Sequence, residues 1–214
     1  MKKITFRVPV TLWASFTVQT QKLFINRGPF LDHMLAIELP YVTRDLGDYK
    51  MSAKARRYIS GLLAHKSPQI INIEIQDSTA QLLNDIVEKH SLLRDALLCR
   101  LIIFLRGSDT LFNYLDMPKD VTKFGARVDS LSTSPMKAIE DIYGDPFFYV
   151  RVHLSEEDWK CGIYNCQLSK KLDWSACYLA DEDVPGTKEN KLRENEMKDL
   201  ADEFNRDEVE MLFS

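Results

Sequence analysis

The sequence predicts a mainly α-helical protein with a short two-stranded antiparallel β-ribbon and a small α+β region in its C-terminal part. In the first nine residues apolar and polar side chains alternate, which is typical of a half-buried strand. After Pro9 the hydrophobic period changes to that of an amphipathic helix. The same succession returns at a constant offset, with Ile71 in the place of Ile4, so we expect two similar units in one chain.

The first unit covers about residues 2–40. Its strand carries the apolar residues Ile4, Phe6 and Val8. One face of the following helix is apolar, and its members are Leu12, Trp13, Phe16, Leu23 and Phe24. A turn at 26–29 opens a second helix, which reaches Pro40, and we expect it to end near this proline.

The second unit covers about residues 69–105. Its strand carries Ile71, Ile73 and Ile75, its first helix is expected to be capped by Asp77 or Ser78, and its second by Ser91. Because an isolated strand leaves its backbone groups unpaired, the two strands are expected to pair antiparallel under four covering helices. The linker between the units predicts a helix at about 51–65. Together these segments form a predicted domain of residues 1–106.

The remaining chain is predicted to form a C-terminal α+β region at 107–184 and an acidic tail at 185–214. Alternation at Val150, Val152 and Leu154 suggests a third copy of the unit at 149–182. A third copy would pair with its equivalent in a second chain and give a homodimer; the alternative is a strand and helix of an unrelated domain. The tail is expected to be partly disordered or to dock through a helix at Leu192, Leu200 and Phe204.

Charge is distributed unevenly along the chain. Residues 1–66 carry 11 Lys/Arg and 4 Asp/Glu, whereas residues 181–214 carry 12 acidic and 5 basic residues. A basic N-terminal part is expected where a protein meets a polyanion, and an acidic tail is suited to a protein partner.

The residue types and spacings do not favour an enzyme, a cofactor protein or a membrane protein. No nucleotide-binding loop or nucleophile motif is present. We expect the four cysteines to be reduced and mostly buried; the alternative is a zinc site built from His153, Cys161, Cys166 and Cys177, whose spacing matches no common ligand pattern. The longest apolar run, at 97–105, is too short to cross a bilayer, so a cytoplasmic protein is expected.

The segment "KKITFRVP", followed by an amphipathic helix, a turn and a second helix, resembles the ribbon-helix-helix (MetJ/Arc-like) DNA-binding family. The resemblance covers residues 2–40 and, less closely, 69–105. In that family two copies intertwine, and their paired strands enter the major groove of DNA. Some members, including accessory proteins of conjugative plasmid transfer, carry both copies in one chain. The resemblance therefore implies a tandem ribbon-helix-helix pseudo-dimer that binds double-stranded DNA.

The outward side chains of such a ribbon are suited to reading base edges. Arginine and lysine donate to guanine, threonine contacts thymine or hydrogen-bonds, and asparagine suits adenine. Residues at the start of each second helix are placed to hold a phosphate. The predicted DNA-binding residues are Lys3, Thr5, Arg7, Asn26, Arg27, Asn72, Glu74, Gln76 and Ser91.

Glu74 does not fit a surface that faces phosphates unless it is paired. If Thr5 lies near Asn72, Lys3 comes close to Glu74, which allows a cross-strand ion pair and leaves Arg7 as the main reader. Alternatively, the second strand is only a structural partner, or DNA binding has been lost.

The sequence therefore predicts a non-enzymatic, sequence-specific DNA-binding protein that regulates transcription, as a repressor, and that forms a dimer through its C-terminal region. The alternative function is an interaction subunit, antitoxin-like or effector-associated, that binds a protein or RNA.

Overall fold

The computed structural model of the chain describes residues 1–117, 145–155 and 159–193. These residues are mainly helical and include one two-stranded antiparallel sheet. The elements in chain order are β1 (Lys2–Pro9), α1 (Val10–Lys22), α2 (Arg27–Leu46), α3 (Ala53–Ala64), β2 (Pro68–Ile75), α4 (Asp77–Lys89), α5 (Arg94–Arg106), α6 (Asp109–Tyr114) and α7 (Phe148–Ser155). Short 3-10 helices follow at Lys170–Ser175 and Asp181–Asp183.

The two strands pair with each other, as the sequence predicts. β1 and β2 are antiparallel, with Thr5 opposite Asn72 and Lys3 opposite Glu74. The apolar row of β1 is buried: Ile4 is 6%, Phe6 2% and Val8 0% exposed. Each such side chain stabilises the fold by roughly 1.5–3 kcal/mol, so burial of this face fixes which row of the ribbon points outward.

The helices repeat at the same spacing as the strands, namely the 67 residues that separate Thr5 from Asn72. α1 and α4 have identical lengths, and both α4 and α5 begin at this same spacing after their counterparts in the first unit. The turns between the helices repeat as well, because the equivalent residues Phe24 and Ser91 both have positive φ, at 57° and 53°. The two units therefore share the spacing of their helices and a left-handed residue in the turn that joins them.

Each second helix packs on the other unit. α2 lies against β2 and α4, whereas α5 lies against β1 and α1. Side-chain bonds follow the same exchange: Asp32 of α2 accepts from the Gln76 N–H at 3.0 Å, and the Cys99 thiol of α5 donates to the Arg7 carbonyl at 3.5 Å. Each second helix thus contacts the strand and the first helix of the other unit.

The first unit departs from the prediction at two places. The expected end of the second helix near Pro40 is wrong, since α2 continues through Pro40 to Leu46. Pro40 and Ala36 both lie on the exposed side of α2, where water can satisfy the carbonyl that proline cannot bond. The apolar face of α1 also ends early, because the helix stops at Lys22 and leaves Leu23 and Phe24 47% and 96% exposed.

The linker helix is confirmed. α3 begins after Ser52, whose hydroxyl accepts from the Ala55 N–H at 3.1 Å. Ala55, Ile59 and Leu63 are fully buried on one face, and the basic side chains of α3 are exposed on the other.

The predicted third strand is wrong. Residues 148–155 form α7, in which Val150 and Leu154, four residues apart, are buried while Val152 between them is 40% exposed. Alternate apolar residues over so short a run also fit one face of a helix. Residues 145–155 and 159–193 contain no strand, so this part of the chain does not repeat the first two units.

The C-terminal residues pack on the first two units without a break in the core. The predicted boundary near 107 falls at Gly107, which ends α5 with φ 56° and ψ 62°. Buried apolar side chains nevertheless form one cluster from Ile4 to Val184. Leu192 of the predicted tail helix is 53% exposed; Leu200 and Phe204 lie outside the described residues.

A bidentate ion pair attaches α7 to α2. The Arg151 guanidinium donates to both carboxylate oxygens of Glu38, which also accepts from the Tyr164 hydroxyl at 2.9 Å. Burial raises the pKa of Glu38, although the charge of Arg151 acts to lower it. The neighbouring carboxylates in turn raise the pKa of Arg151.

Three of the four cysteines, Cys99, Cys166 and Cys177, are buried and all four are free thiols. Among the described residues no group of three or more metal-ligating side chains is close enough to hold a metal ion. In the same part of the chain no helix has both the length and the apolar character needed to cross a membrane.

Candidate nucleic-acid interface

The outer face of the ribbon holds the side chains of three cross-strand pairs. The pairs are Lys3 with Glu74, Thr5 with Asn72, and Arg7 with Ile70. This face brings together five of the nine predicted site residues and presents two cations and one carboxylate to solvent. The row therefore has a net positive charge but not a strongly basic one.

Thr5 and Asn72 lie at the centre of the row. The Thr5 hydroxyl donates to the Asn72 side-chain oxygen at 2.6 Å. These two residues are separated by the same 67 residues as the two units. The residue that pairs with Thr5 is therefore also its counterpart in the repeat, and a local two-fold axis relating the strands passes between them.

Arg7 is held by a carboxylate from α5. Its Nε donates to Asp95 Oδ2 at 2.8 Å, and the side chains of Arg7 and Asp95 are 39% and 14% exposed. The two terminal nitrogens of Arg7 form no hydrogen bond within the described residues. Asp95 lies in the first turn of α5, where a carboxylate is favoured by the helix dipole.

Arg94, at the start of α5, covers the outer edge of β1. Its Nη2 donates to the Thr5 carbonyl at 2.7 Å. The prediction missed Arg94, although the repeat could have found it, because Arg94 holds the place in the second unit that Arg27 holds in the first. Asp95 was also missed, and no feature of the sequence pairs it with Arg7.

The cross-strand neighbours Lys3 and Glu74 are adjacent, as expected from the pairing of Thr5 with Asn72. Both side chains are exposed. The charged atoms of these two residues do not form an ion pair in the described structure. A salt bridge near this end of the ribbon joins the N-terminal ammonium to Asp77 at 3.2 Å.

Ile70 is an apolar member of the outer row that the prediction did not include. It is 68% exposed beside Arg7. An exposed isoleucine can contact a thymine methyl or an apolar surface on a protein.

The predicted residues at the helix starts behave differently from one another. Asn26 is exposed as the N-cap residue of α2, and its side chain makes no capping bond. Arg27 donates to the Thr17 hydroxyl at 2.6 Å and lies 5.2 Å from the centre of the Trp13 ring. Arg27 is thus directed towards α1, unlike its counterpart Arg94, which is directed towards the strand.

Two predicted positions are corrected. Ser91 is not the N-cap of α5, because Leu93 occupies that position and Ser91 lies in the preceding turn with φ 53°. Gln76 is exposed but lies beyond the end of β2, as the N-cap of α4. Asp77 is consequently the first residue of α4 and not its cap.

The site holds no group of side chains suited to a metal among the residues with described positions. Its chemistry is that of hydrogen-bond donors and acceptors on a two-stranded ribbon. Comparison with known proteins adds no relative: no protein-family model, no curated protein and no solved structure matches the chain.

Proposed function

We propose that the chain binds duplex DNA by inserting its β-ribbon into the major groove, and that it thereby regulates transcription. The observation that carries this proposal is the Thr5–Asn72 pair, where the strand register and the repeat of the two units coincide. A tandem ribbon-helix-helix pseudo-dimer requires this coincidence, because its two strands must pair about a local two-fold axis.

The exchange of second helices supports the same proposal. In an intertwined pair each second helix packs on the strand and first helix of the other copy, and α2 and α5 have such neighbours. This arrangement leaves one face of the ribbon uncovered by the helices of the two units. A two-stranded ribbon has dimensions that fit the major groove of B-form DNA.

The side chains of the outer row have distinct proposed roles. Arg7, oriented by Asp95, donates its terminal nitrogens to a guanine, and Asn72 contacts an adenine after releasing its bond to Thr5. Glu74 holds the position in the second unit that Arg7 holds in the first, and its charge is the opposite one. The two halves of the ribbon therefore present different side chains. One chain is therefore expected to read a non-palindromic site, and a longer symmetric operator requires two chains.

The start of α5 is proposed to hold a phosphate beside the ribbon. The helix begins with free backbone N–H groups and the side chain of Arg94. The corresponding start of α2 has Asn26 and Arg27, with Arg27 turned towards Trp13. Contacts of this kind fix the register of the protein on DNA and do not read sequence.

The test is a selection of duplexes from a random library, followed by anisotropy titrations of the selected sequence at several salt concentrations. Several phosphate contacts predict a steep fall of affinity with salt. Arg7→Ala is expected to weaken binding by about 1–3 kcal/mol, roughly 5- to 150-fold, and to relax the base preference at one position.

Arg56→Ala is the matched control, since Arg56 is exposed on α3, which packs mainly on the 3-10 helix Lys170–Ser175 and on α5. It is expected to leave the base preference unchanged. An equal loss for both variants, or no loss for Arg7→Ala, contradicts a groove-reading role for Arg7. Glu74→Ala tests the carboxylate: stronger but less selective binding is expected, and no change would mean that Glu74 does not face the DNA.

A second candidate function, an interaction subunit that binds a protein, is favoured by exposed apolar side chains on the ribbon and in the turn between α1 and α2. Ile70 is 68% and Phe24 96% exposed. This function predicts no salt-dependent duplex binding by the full chain. Sedimentation of the chain alone tests the accompanying proposal of a dimer formed through the C-terminal region.

A further inference from the structure

A cleft at the Pro9 end of the ribbon has a one-sided charge. It lies between α1, the end of α5, α6 and the 3-10 helix Lys170–Ser175, and its volume is about 820 Å³. This volume lies within the range of small-molecule sites, about 300–1,000 Å³.

The charged side chains that line this cleft are all basic. They are Lys66, Arg106, Lys170 and Lys171. All four are exposed, and none forms a salt bridge with a described residue. The lining also contains side chains with hydroxyl groups, namely Thr11, Ser15, Ser108, Thr110, Tyr114 and Ser169.

A neighbouring cleft shows that this charge pattern is specific. That cleft shares Lys170 and Leu172 with the first, but it balances three cations with three carboxylates. The chain as a whole carries more acidic than basic residues, 32 against 28. A concave surface with four cations and no carboxylate in its described lining is therefore not explained by overall composition.

The remaining lining of the basic cleft is apolar. Leu12, Ile103 and Leu111 are at most 8% exposed in the folded chain, and Trp174 is 6% exposed. The Trp174 indole N–H donates to the Lys171 carbonyl at 2.9 Å, which fixes the ring beside the two lysines. Cations and hydroxyls thus surround an apolar wall.

We propose that this cleft binds a small organic phosphate that carries a flat apolar group. The lysines, Arg106 and the hydroxyls of Thr11, Thr110 and Ser169 hold the phosphate, for which such donors are suited. The apolar wall would contact the flat group. The inference does not depend on DNA binding by the ribbon, because no outward residue of the ribbon lines the cleft.

The test uses the full chain and four probes: adenosine 5′-monophosphate, phenyl phosphate, adenosine and inorganic phosphate. Titration calorimetry is expected to show saturable binding of both organic phosphates. Adenosine and inorganic phosphate are each expected to bind at least about tenfold more weakly, because each lacks one of the two recognised groups. Failure of both organic phosphates to bind, or equal binding of adenosine or inorganic phosphate, overturns the proposal.

Variants and a local signal place the binding in this cleft. The double substitution Lys170→Gln and Lys171→Gln is expected to weaken binding at least about tenfold. The control is Lys188→Gln with Lys191→Gln, two exposed lysines outside the cleft lining, which should leave binding unchanged. In ¹⁵N-labelled protein the indole signal of Trp174 is expected to shift on binding. Unchanged affinity in the first double variant, or an unmoved Trp174 signal at saturation, overturns the assignment.

Discussion

Replacement of Arg151 by methionine tests whether the C-terminal residues are an integral part of the fold. The Arg151 and Glu38 side chains are 9% and 1% exposed, and they form a bidentate pair. Methionine removes the charge and the guanidinium, whose carbon lies 3.7 Å from the centre of the Tyr41 ring, and leaves an unbranched apolar side chain in its place. Loss of one partner of a buried ion pair destabilises a protein by about 3–5 kcal/mol.

The effect is expected to depend on pH. Burial holds the pKa of Glu38 above its ordinary value of 4.5, and loss of Arg151 removes the group that opposes this increase. With the folded pKa above the unfolded pKa, stability falls as pH rises from about 4.5 through the folded value. Arg151→Met is therefore expected to cost most near neutral pH and less in acid, where Glu38 is protonated.

The assay is urea unfolding followed by tryptophan fluorescence, at neutral pH and near pH 4.5. The double variant Glu38→Gln with Arg151→Met should be more stable at neutral pH than Arg151→Met alone, because it leaves no buried charge. Lys54→Met is the control: Lys54 pairs with Glu189 at the surface, and the two side chains are 47% and 46% exposed, so little change in the free energy of unfolding is expected. A loss below about 1 kcal/mol for Arg151→Met, or equal losses for it and the double variant, would refute the reasoning.

Three further predictions concern single positions. Gly162→Ala should destabilise the fold, because a Cβ at 162 would overlap the Asp45 carboxylate. Gly61→Ala, in an exposed part of α3 with open space around it, should stabilise the fold by about 0.5–1 kcal/mol. A higher melting temperature for Gly162→Ala contradicts the first expectation, and a lower one for Gly61→Ala contradicts the second. Phe24→Gly should raise the melting temperature, because glycine adopts the positive φ of 57° without backbone strain. Loss of binding to a partner without any gain in stability would mean that the exposed ring has a recognition role. Burial raises the pKa of Cys177 to about 12, so a thiol reagent near neutral pH should modify this residue only after unfolding, and rapid labelling of the native protein would show that the core opens locally.

Much of the N-terminal fold follows from local pattern. The alternation of Ile4, Phe6 and Val8, and its repeat in the second unit, predicts two strands with one apolar face each. Because a one-residue shift would expose that face, the apolar rows also determine which side chains point outward. The apolar rows do not fix the register by themselves, because a two-residue shift keeps the same face; in the structure Thr5 lies opposite Asn72.

Local pattern was insufficient where two structures share one periodicity. Val150, Val152 and Leu154 alternate like a strand, yet Val150 and Leu154 also lie on one face of a helix, and α7 forms there. The same limit applies to Leu23, which fits the helical stripe of α1 although the helix ends before it. Burial against distant elements, which the local pattern does not contain, decides such cases.

The sequence by itself determined the ribbon, its partner strand, the repeat and the outward row that includes Arg7. Only the tertiary structure decided which distant groups meet that row and the core: Asp95 at Arg7, Arg151 at Glu38, and Lys170 in one cleft with Lys66. The physical reason is range. Strand and helix periods act over a few neighbouring residues, whereas a charged side chain takes its partner from whatever packing brings within a few ångströms, at any separation along the chain.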